Sequence, residues 1–402
     1  MKKPGKRPVT TALSALSDLR GSVRLAVEGT QGVTGMVESV HQRVVSLAPP
    51  LGKVADTRTT GLTGFVYRSI RNTTHWVGTG LDAALALAQR TLAALPDDDT
   101  AVAATDGAAP PQRRLAVLAA LNGVLGDHLA ATDNPLALTM GLHRRPADVP
   151  ATPHVLVLVH GLCMNDLQWT HQGHDHGQML AAAGWSPVYA RYNSGLHISA
   201  NGLALAQHLE RCLAAWPVPV ASVALLGHSM GGLVLRSALQ QAQAAGMAWP
   251  AQVRQLVCLG TPHHGAPLEQ AGSWVHQALS LSPYLMPFTR LAGLRSAGIT
   301  DLRYGNLLAS DIRHAQRHVG RDQRTPVSLP AGVASYAVAG SLAPAWLGDG
   351  LVTIDSALGR HRQSSRALGF PASRTFVAKG CGHMNLLDNE AVQRHLQKWL
   401  TL

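Results

Sequence analysis

The sequence predicts an α/β protein: a mostly parallel sheet flanked by helices from about residue 151 to 402, preceded by an N-terminal helical region over residues 1–150. Three observations carry this. Beyond residue 154, short runs rich in Val, Leu and Ile alternate with longer segments of helical spacing, the pattern of crossover-connected parallel strands. Before residue 95, apolar residues recur at helical intervals instead. Between the two lie stretches broken by Pro, Gly and Asp. With 402 residues, 46% hydrophobic and 14% charged, the chain is long enough to bury a large core and too apolar for intrinsic disorder. No apolar run approaches the roughly 18 residues that a membrane-spanning helix requires.

Taken in order, residues 8–95 read as helical. Val33, Met36, Val37, Val40 and Val44 share one face of a helix. Gly32-Val33-Thr34-Gly35-Met36-Val37 is echoed by Gly61-Leu62-Thr63-Gly64-Phe65-Val66, as if two similar helical hairpins followed one another. Pro96 to Pro111, with three consecutive Asp, reads as a linker. Helical spacing returns over Arg114 to Ala131, and Arg144 to Pro153 is a second punctuated stretch. This third of the chain holds no constellation with obvious chemistry, so a helical cap or docking element is the expectation.

The formal net charge of +11 raises the question of nucleic acid. Four of the basic residues (Lys2, Lys3, Lys6 and Arg7) crowd the N-terminal tip, and residues 8–150 balance to neutral. Arg360, Arg362, Arg366 and Arg374 form a run without acids between them. Aromatic residues make up only 4%, too few for base stacking, so no nucleic-acid partner is expected and weak peripheral attraction to an anionic membrane is. Cys163, Cys212, Cys258 and Cys381 lie far apart without metal-type spacing and read as small buried thiols. Val9 to Leu16 is short, interrupted by Thr and Ser and followed at once by Asp18 and Arg20, which does not read as a secretory signal; a cytoplasmic location is the expectation.

Strands are predicted over Val155 to Val159, Ser186 to Tyr192, Ala221 to Leu226, Val253 to Leu259, Ala334 to Ala339 and Arg374 to Ala378, with helices over Ala200 to Ala215, Gly232 to Ala245 and Asn389 to Leu400. Residues 263–330 interrupt the alternation with Trp274, Leu279, Leu285 and Phe288, and are expected to form a cap or lid.

The chemistry concentrates in Gly227-His228-Ser229-Met230-Gly231, a G-x-S-x-G between a strand and a helix. A Ser there occupies so sharp a turn that its neighbours must be small, and its hydroxyl is thrust out at a helix N-terminus. A hydroxyl needs a base. His383 follows the last strand in Gly380-Cys381-Gly382-His383-Met384, where a loop can deliver an imidazole to the Ser. The acid should fall between them in sequence. Asp349, in Gly348-Asp349-Gly350-Leu351-Val352, follows the Ala334 strand on a Gly-rich loop, and Asp355 is the alternative. Asp301, Asp311 and Asp322 fall in the lid. Donors for a developing oxyanion would be the backbone N–H groups of Met230 and of Leu162, the latter in His160-Gly161-Leu162 after the first strand. His160 is expected to orient that loop, and not to transfer protons.

Together with Gly260-Thr261-Pro262-His263, these five motifs resemble the α/β-hydrolase superfamily over residues 150–402, nearest to bacterial lipases and esterases and to the related inositol-deacylase-like enzymes. The resemblance implies Ser229 as nucleophile, His383 as general base, Asp349 as its orienting acid and Leu162 and Met230 as the oxyanion hole. It implies a carboxylic ester hydrolase acting on an ester or lipid through an acyl-enzyme, with no cofactor. An acyltransferase or amidase on the same fold is the nearest alternative, and a non-catalytic binding protein on this scaffold the next.

His171, His174, Asp175 and His176 could suggest a metal site, but the spacing matches no common zinc pattern, and a hydrogen-bonded loop is expected instead, with no metal. His263 and His264 read as capping the lid entrance, and Tyr192, Asn193 and His197 as supports for the site.

Overall fold

The computed structural model describes residues 8–46, 59, 61–94, 111–265, 296–315 and 324–402. The chain divides into two compact units. The smaller comprises residues 1–108 with 131–136, and the larger 109–130 with 137–402.

In the smaller unit, helices α1 (Pro8–Ser46) and α2 (Gly61–Ala94) pair lengthwise. The echoed hexapeptides fall one on each helix, so they mark the two arms of a single hairpin and not two hairpins. Polar pairs lock the arms together. Arg20 and Arg24 both clamp Asp82, each through Nε at 2.7 Å from Oδ1. Glu38, 2% exposed, accepts from Arg71 and from the Thr59 N–H and hydroxyl. Burial alone would push the Glu38 carboxyl up, yet the Arg71 and Thr59 donors outweigh it and hold the group below its ordinary range. No described helix is long and apolar enough to cross a membrane.

The larger unit is built on a seven-stranded sheet. Its strands are β1 (Gly141–Arg144), β2 (His154–Val159), β3 (Ser186–Arg191), β4 (Ser222–His228), β5 (Val253–Leu259), β6 (Ala334–Ser341) and β7 (Thr375–Lys379), in the order β1-β3-β2-β4-β5-β6-β7. Only the β1–β3 pair is antiparallel. The six strands predicted from sequence are all present, within two residues at each end. The seventh, β1, has no counterpart in the sequence prediction and ends at Arg144, where the punctuated stretch begins. It is a four-residue edge strand containing His143 and Arg144, half-buried throughout, and so lacks an apolar signature. Val155 to Val159 are fully buried, as the continuous run requires of a strand covered on both faces.

Helices α3 (Pro111–Ala131), α4 (His176–Ala181), α5 (Ile198–Ala214) and α6 (Met230–Ala244) precede β5, and Glu390–Trp399 closes the chain. The α5–α6 pair is the most extensive helix packing in this unit. On the opposite side, Trp169, Leu180, Trp185, Leu396 and Trp399 pack on the buried faces of β2, β4 and β5. Of the expected lid over 263–330, residues 266–295 and 316–323 lie outside the described residues. So do Asp322 and nearly all of the expected linker. Asp301 and Asp311 serve as structural acceptors: Asp301 takes the Ile198 N–H at the start of α5, and Asp311 takes the N–H groups of Leu307, Leu308 and Thr325.

Candidate active site

Six parallel strands end at one edge of the sheet, and the sequence-predicted residues collect there. Ser229 sits between the last residue of β4 and the first of α6, with φ 55° and ψ −125°. A positive φ at a non-Gly residue costs on the order of 1–3 kcal/mol, so the surrounding structure must enforce it. The Ser229 N–H donates to Leu259 O at 2.8 Å, tying the turn to the end of β5. Gly231 is needed because α6 begins directly against β2: a Cβ there would strike the Val159 carbonyl oxygen. Ser229 is 1% exposed, and its Oγ has no hydrogen-bond partner among the described residues.

Asp349 and His383 meet across two loops. The His383 Nδ1–H donates to Asp349 Oδ2 at 2.7 Å, and the His383 N–H donates to Asp349 O at 3.0 Å. Asp349 Oδ1 accepts the Leu351 and Val352 N–H groups at 3.0 and 2.7 Å. The carboxylate is therefore fixed by its own loop on one oxygen and presents the other to the imidazole. With the proton on Nδ1, the Nε2 of His383 has the lone pair that a general base uses. Gly260, at φ 56°, lies against both: a Cβ there would sit 3.1 Å from Asp349 Oδ2 and 3.2 Å from His383 Cε1. Asp355, the alternative acid, points elsewhere, towards Arg360 at 3.6 Å, and is well exposed.

The loop after β2 faces the Ser229 turn. A Cβ on Gly161 would be 3.0 Å from Ser229 Cβ. Residues 161–164 form a tight turn closed by Met164 N–H to Gly161 O at 3.4 Å, with Cys163 at φ 60° and its N–H held by Ser194 Oγ at 3.0 Å. Among the described residues, no acceptor engages the Leu162 N–H in that turn or the Met230 N–H at the first position of α6.

His160 is buried and stacked on Tyr192 with ring centroids 4.3 Å apart, and the Tyr192 hydroxyl donates to His160 O at 2.7 Å. Burial lowers the His160 imidazole to about 4. Asn193 donates to Gly126 O on α3, and His197 pairs with Asp301 at 3.0 Å. Burial likewise lowers His176 to about 4.

The His171–His176 segment is a hydrogen-bonded loop. Asp175 caps α4 at the Gly177 and Gln178 N–H groups and accepts from the Tyr189 and Thr170 hydroxyls. His174 Nε2 meets His176 Nδ1 at 2.8 Å, and His176 Nε2 donates to Leu386 O at 3.0 Å.

One supporting residue escapes sequence reasoning. His228, a variable position of the G-x-S-x-G, donates its Nε2–H to His383 O at 3.1 Å, with ring centroids 4.8 Å apart. Burial first, then the nearby His383, depresses its pKa well below the ordinary imidazole value, so it remains neutral. Nothing in its spacing distinguishes it from the other histidines; only the folded loop brings it under His383.

The strand order, the parallel register and the carboxyl-edge placement define an α/β-hydrolase fold. More particularly, residues 199–361 match the model of the PGAP1-like alpha/beta domain. No curated protein sequence matches the chain. Among solved structures, the mature lipase BlEst2 of Bacillus licheniformis aligns at 20% identity over 65% of this chain and 98% of its own, with a TM-score of 0.43. A thermophilic esterase of Thermogutta terrifontis aligns at 14% identity over 65% and 92%, with a TM-score of 0.37. The type II thioesterase YbtT of a yersiniabactin biosynthetic pathway aligns at 15% identity over 65% and 97%, with a TM-score of 0.38.

Proposed function

We propose that this protein is a serine hydrolase of carboxylic esters, with Ser229 as nucleophile, His383 as general base and Asp349 as its orienting acid. The observation that carries the reading is the 2.7 Å hydrogen bond from His383 Nδ1 to Asp349, on loops that close over the sheet edge where Ser229 sits. In this reading His383 Nε2 takes the Ser229 proton as Oγ bonds to the ester carbonyl carbon. The carbonyl oxygen, now negative, is received by the Leu162 and Met230 N–H groups. Asp349 stabilises the imidazolium and keeps its tautomer. Collapse of the tetrahedral intermediate breaks the carbon–oxygen bond to the alcohol, which leaves with the proton from His383. Water, deprotonated by the same imidazole, then attacks the acyl-enzyme and releases the acid. None of these steps calls for a cofactor.

The substrate is an ester or lipid in water or at an anionic surface, with residues 1–150 as an extension outside the chemistry. An acyltransferase or amidase would use the same residues with a different acceptor or leaving group. Hydrolysis of p-nitrophenyl esters from short to long acyl chains, wild type beside Ser229→Ala, tests the proposal. Turnover that survives in Ser229→Ala rejects the nucleophile, and absence of turnover in wild type at every chain length turns the reading to the amidase, the acyltransferase or a binding scaffold.

A further inference from the structure

We propose that Arg236 and His263, with the cavity they share with Arg324 and Arg366, form a binding site for a small oxyanion group, a carboxylate or a phosphate, distinct from the Ser229, His383 and Asp349 set. Arg236 lies on α6 and is 4% exposed. Its Nη2 donates to Val327 O at 2.5 Å and its Nη1 to His263 Nδ1 at 3.2 Å. Its Nε has no acceptor among the described residues. A guanidinium has no lone pair to offer, so His263 Nδ1 must be the acceptor in that contact and the His263 proton must be on Nε2. That nitrogen too is buried without an acceptor among the described residues. Two buried N–H donors are thus left without an acceptor among the described residues, which is costly unless a bound group supplies one.

The surroundings say what kind of acceptor. A cavity of about 50 Å³ lies against these groups, its wall including Arg236, His263, His264, Arg324, Ser365 and Arg366. A single water needs roughly 10–15 Å³ by this measure, so the space takes several waters or one small oxyanion. Among the described residues, none that line the cavity is an Asp or Glu. Water would satisfy the donors but not the charge. Burial pulls Arg236 down to about 10, with Arg324 adding repulsion, and the group still carries its charge at neutral pH. His263, by contrast, is held neutral by burial first and then by Arg236. A buried cation beside a second guanidinium calls for an anion with several lone pairs, and carboxylate and phosphate supply both.

The position is informative as well. Arg236 follows Ser229 by two turns of α6, about 10 Å along the helix axis. His263 is three residues beyond Gly260, which lies against Asp349 and His383. Arg366 belongs to the basic run from Arg360 to Arg374.

The first test uses the full-length protein with inorganic phosphate replacing chloride at constant ionic strength. Wild type should melt at progressively higher temperature and then level off as the site fills. Arg236→Met should lose that response. Ser365→Glu, an exposed position on the cavity wall, should lose it and also melt higher than wild type without phosphate, because it supplies a carboxylate internally. Identical melting of wild type in phosphate and chloride, or a phosphate response retained in both variants, overturns the proposal. If Arg236→Met does not fold, Ser365→Glu decides alone.

A second arm separates an anion carried by the substrate from a free one, and it rests on Ser229 being an ester hydrolase. The p-nitrophenyl ester of butyrate is compared with the half-ester of succinate. A tenfold or greater fall in kcat/KM for the charged ester alone, in Arg236→Met, assigns the oxyanion to the substrate. Equal effects on the two esters assign it to a free ion. No turnover of either ester would count against the hydrolase reading and leave the melting experiment to judge this one.

Discussion

The central sheet of the larger unit and the helical hairpin of the smaller one draw on a similar stock of apolar residues and use it in opposite ways. Val155 to Val159 and Val223 to Leu226 are wholly enclosed, whereas Phe65, Trp76 and Leu87 on α2 are more than half exposed. The sheet places its polar chemistry at one edge, at the ends of strands already fixed by packing. The hairpin, with little apolar burial to fix it, relies on charged pairs between its arms. In the sheet unit a buried polar group is therefore positioned by the fold, and in the hairpin the fold is positioned by the buried polar groups.

Mutations should expose that asymmetry. Ser229→Ala, at a position that packing fixes, should lower ester turnover on the order of 10⁵-fold with the melting curve almost unmoved. Asp349→Asn should cost roughly 10⁴-fold in kcat by presenting the wrong partner to His383 Nδ1, while Asp355→Asn should cost nothing measurable. The reverse ranking would reassign the acid and with it the claim that the loop positions the carboxylate. Glu38→Gln in the hairpin should do the opposite, destabilising by about 2–3 kcal/mol through loss of its charged hydrogen bonds while leaving turnover intact. Unchanged hydrogen-exchange protection in α1 and α2 would show that the ion pair is not what fastens the arms.

Acid should affect the two units in different pH windows. Burial lowers His160 and His176 to about 4 and His228 and His263 well below their ordinary value, so the unfolded chain binds more protons than the native one as pH falls below about 6.5, the ordinary imidazole value. The sheet unit should lose stability from that point down to pH 4, by at most about 1.4 kcal/mol per pH unit for each histidine. Asp82 is displaced in the other sense. Hydrogen bonds from Arg24 and then Arg20 hold its carboxyl far below the usual range, so its contribution is complete above about pH 4 and is lost only below that. Exchange monitored separately in α2 and β4 between pH 7 and 3 should show the strand weakening first. Simultaneous loss would argue against the division of labour.

The strands were readable in the sequence because burial on both faces demands an unbroken apolar run, as in Val155 to Val159. The edge strand Gly141–Arg144 was not, since four half-buried residues carry neither a run nor an alternation. The Ser229 turn was visible through its glycines, each excluded from bearing a side chain by a neighbour such as the Val159 carbonyl. The Asp349 and His383 loops were visible through chain order, although only the fold shows them within hydrogen-bonding reach. His228 under His383 and Arg236 against His263 were invisible for one reason. They are joined across 155 and 27 residues of chain by contacts that leave no periodicity behind.

Beside the His383–Asp349 side-chain pair and the buried Cys381 and Leu386, the loop that carries His383 is moored through main-chain atoms: its N–H on the Asp349 carbonyl, its carbonyl under His228, and the Cys381 N–H on the Ser341 carbonyl at 3.3 Å. Such moorings are indifferent to the side chains of the residues between them. Lineages of this protein could therefore rewrite the surface of that loop, and with it what the protein admits, without retuning the imidazole at its centre.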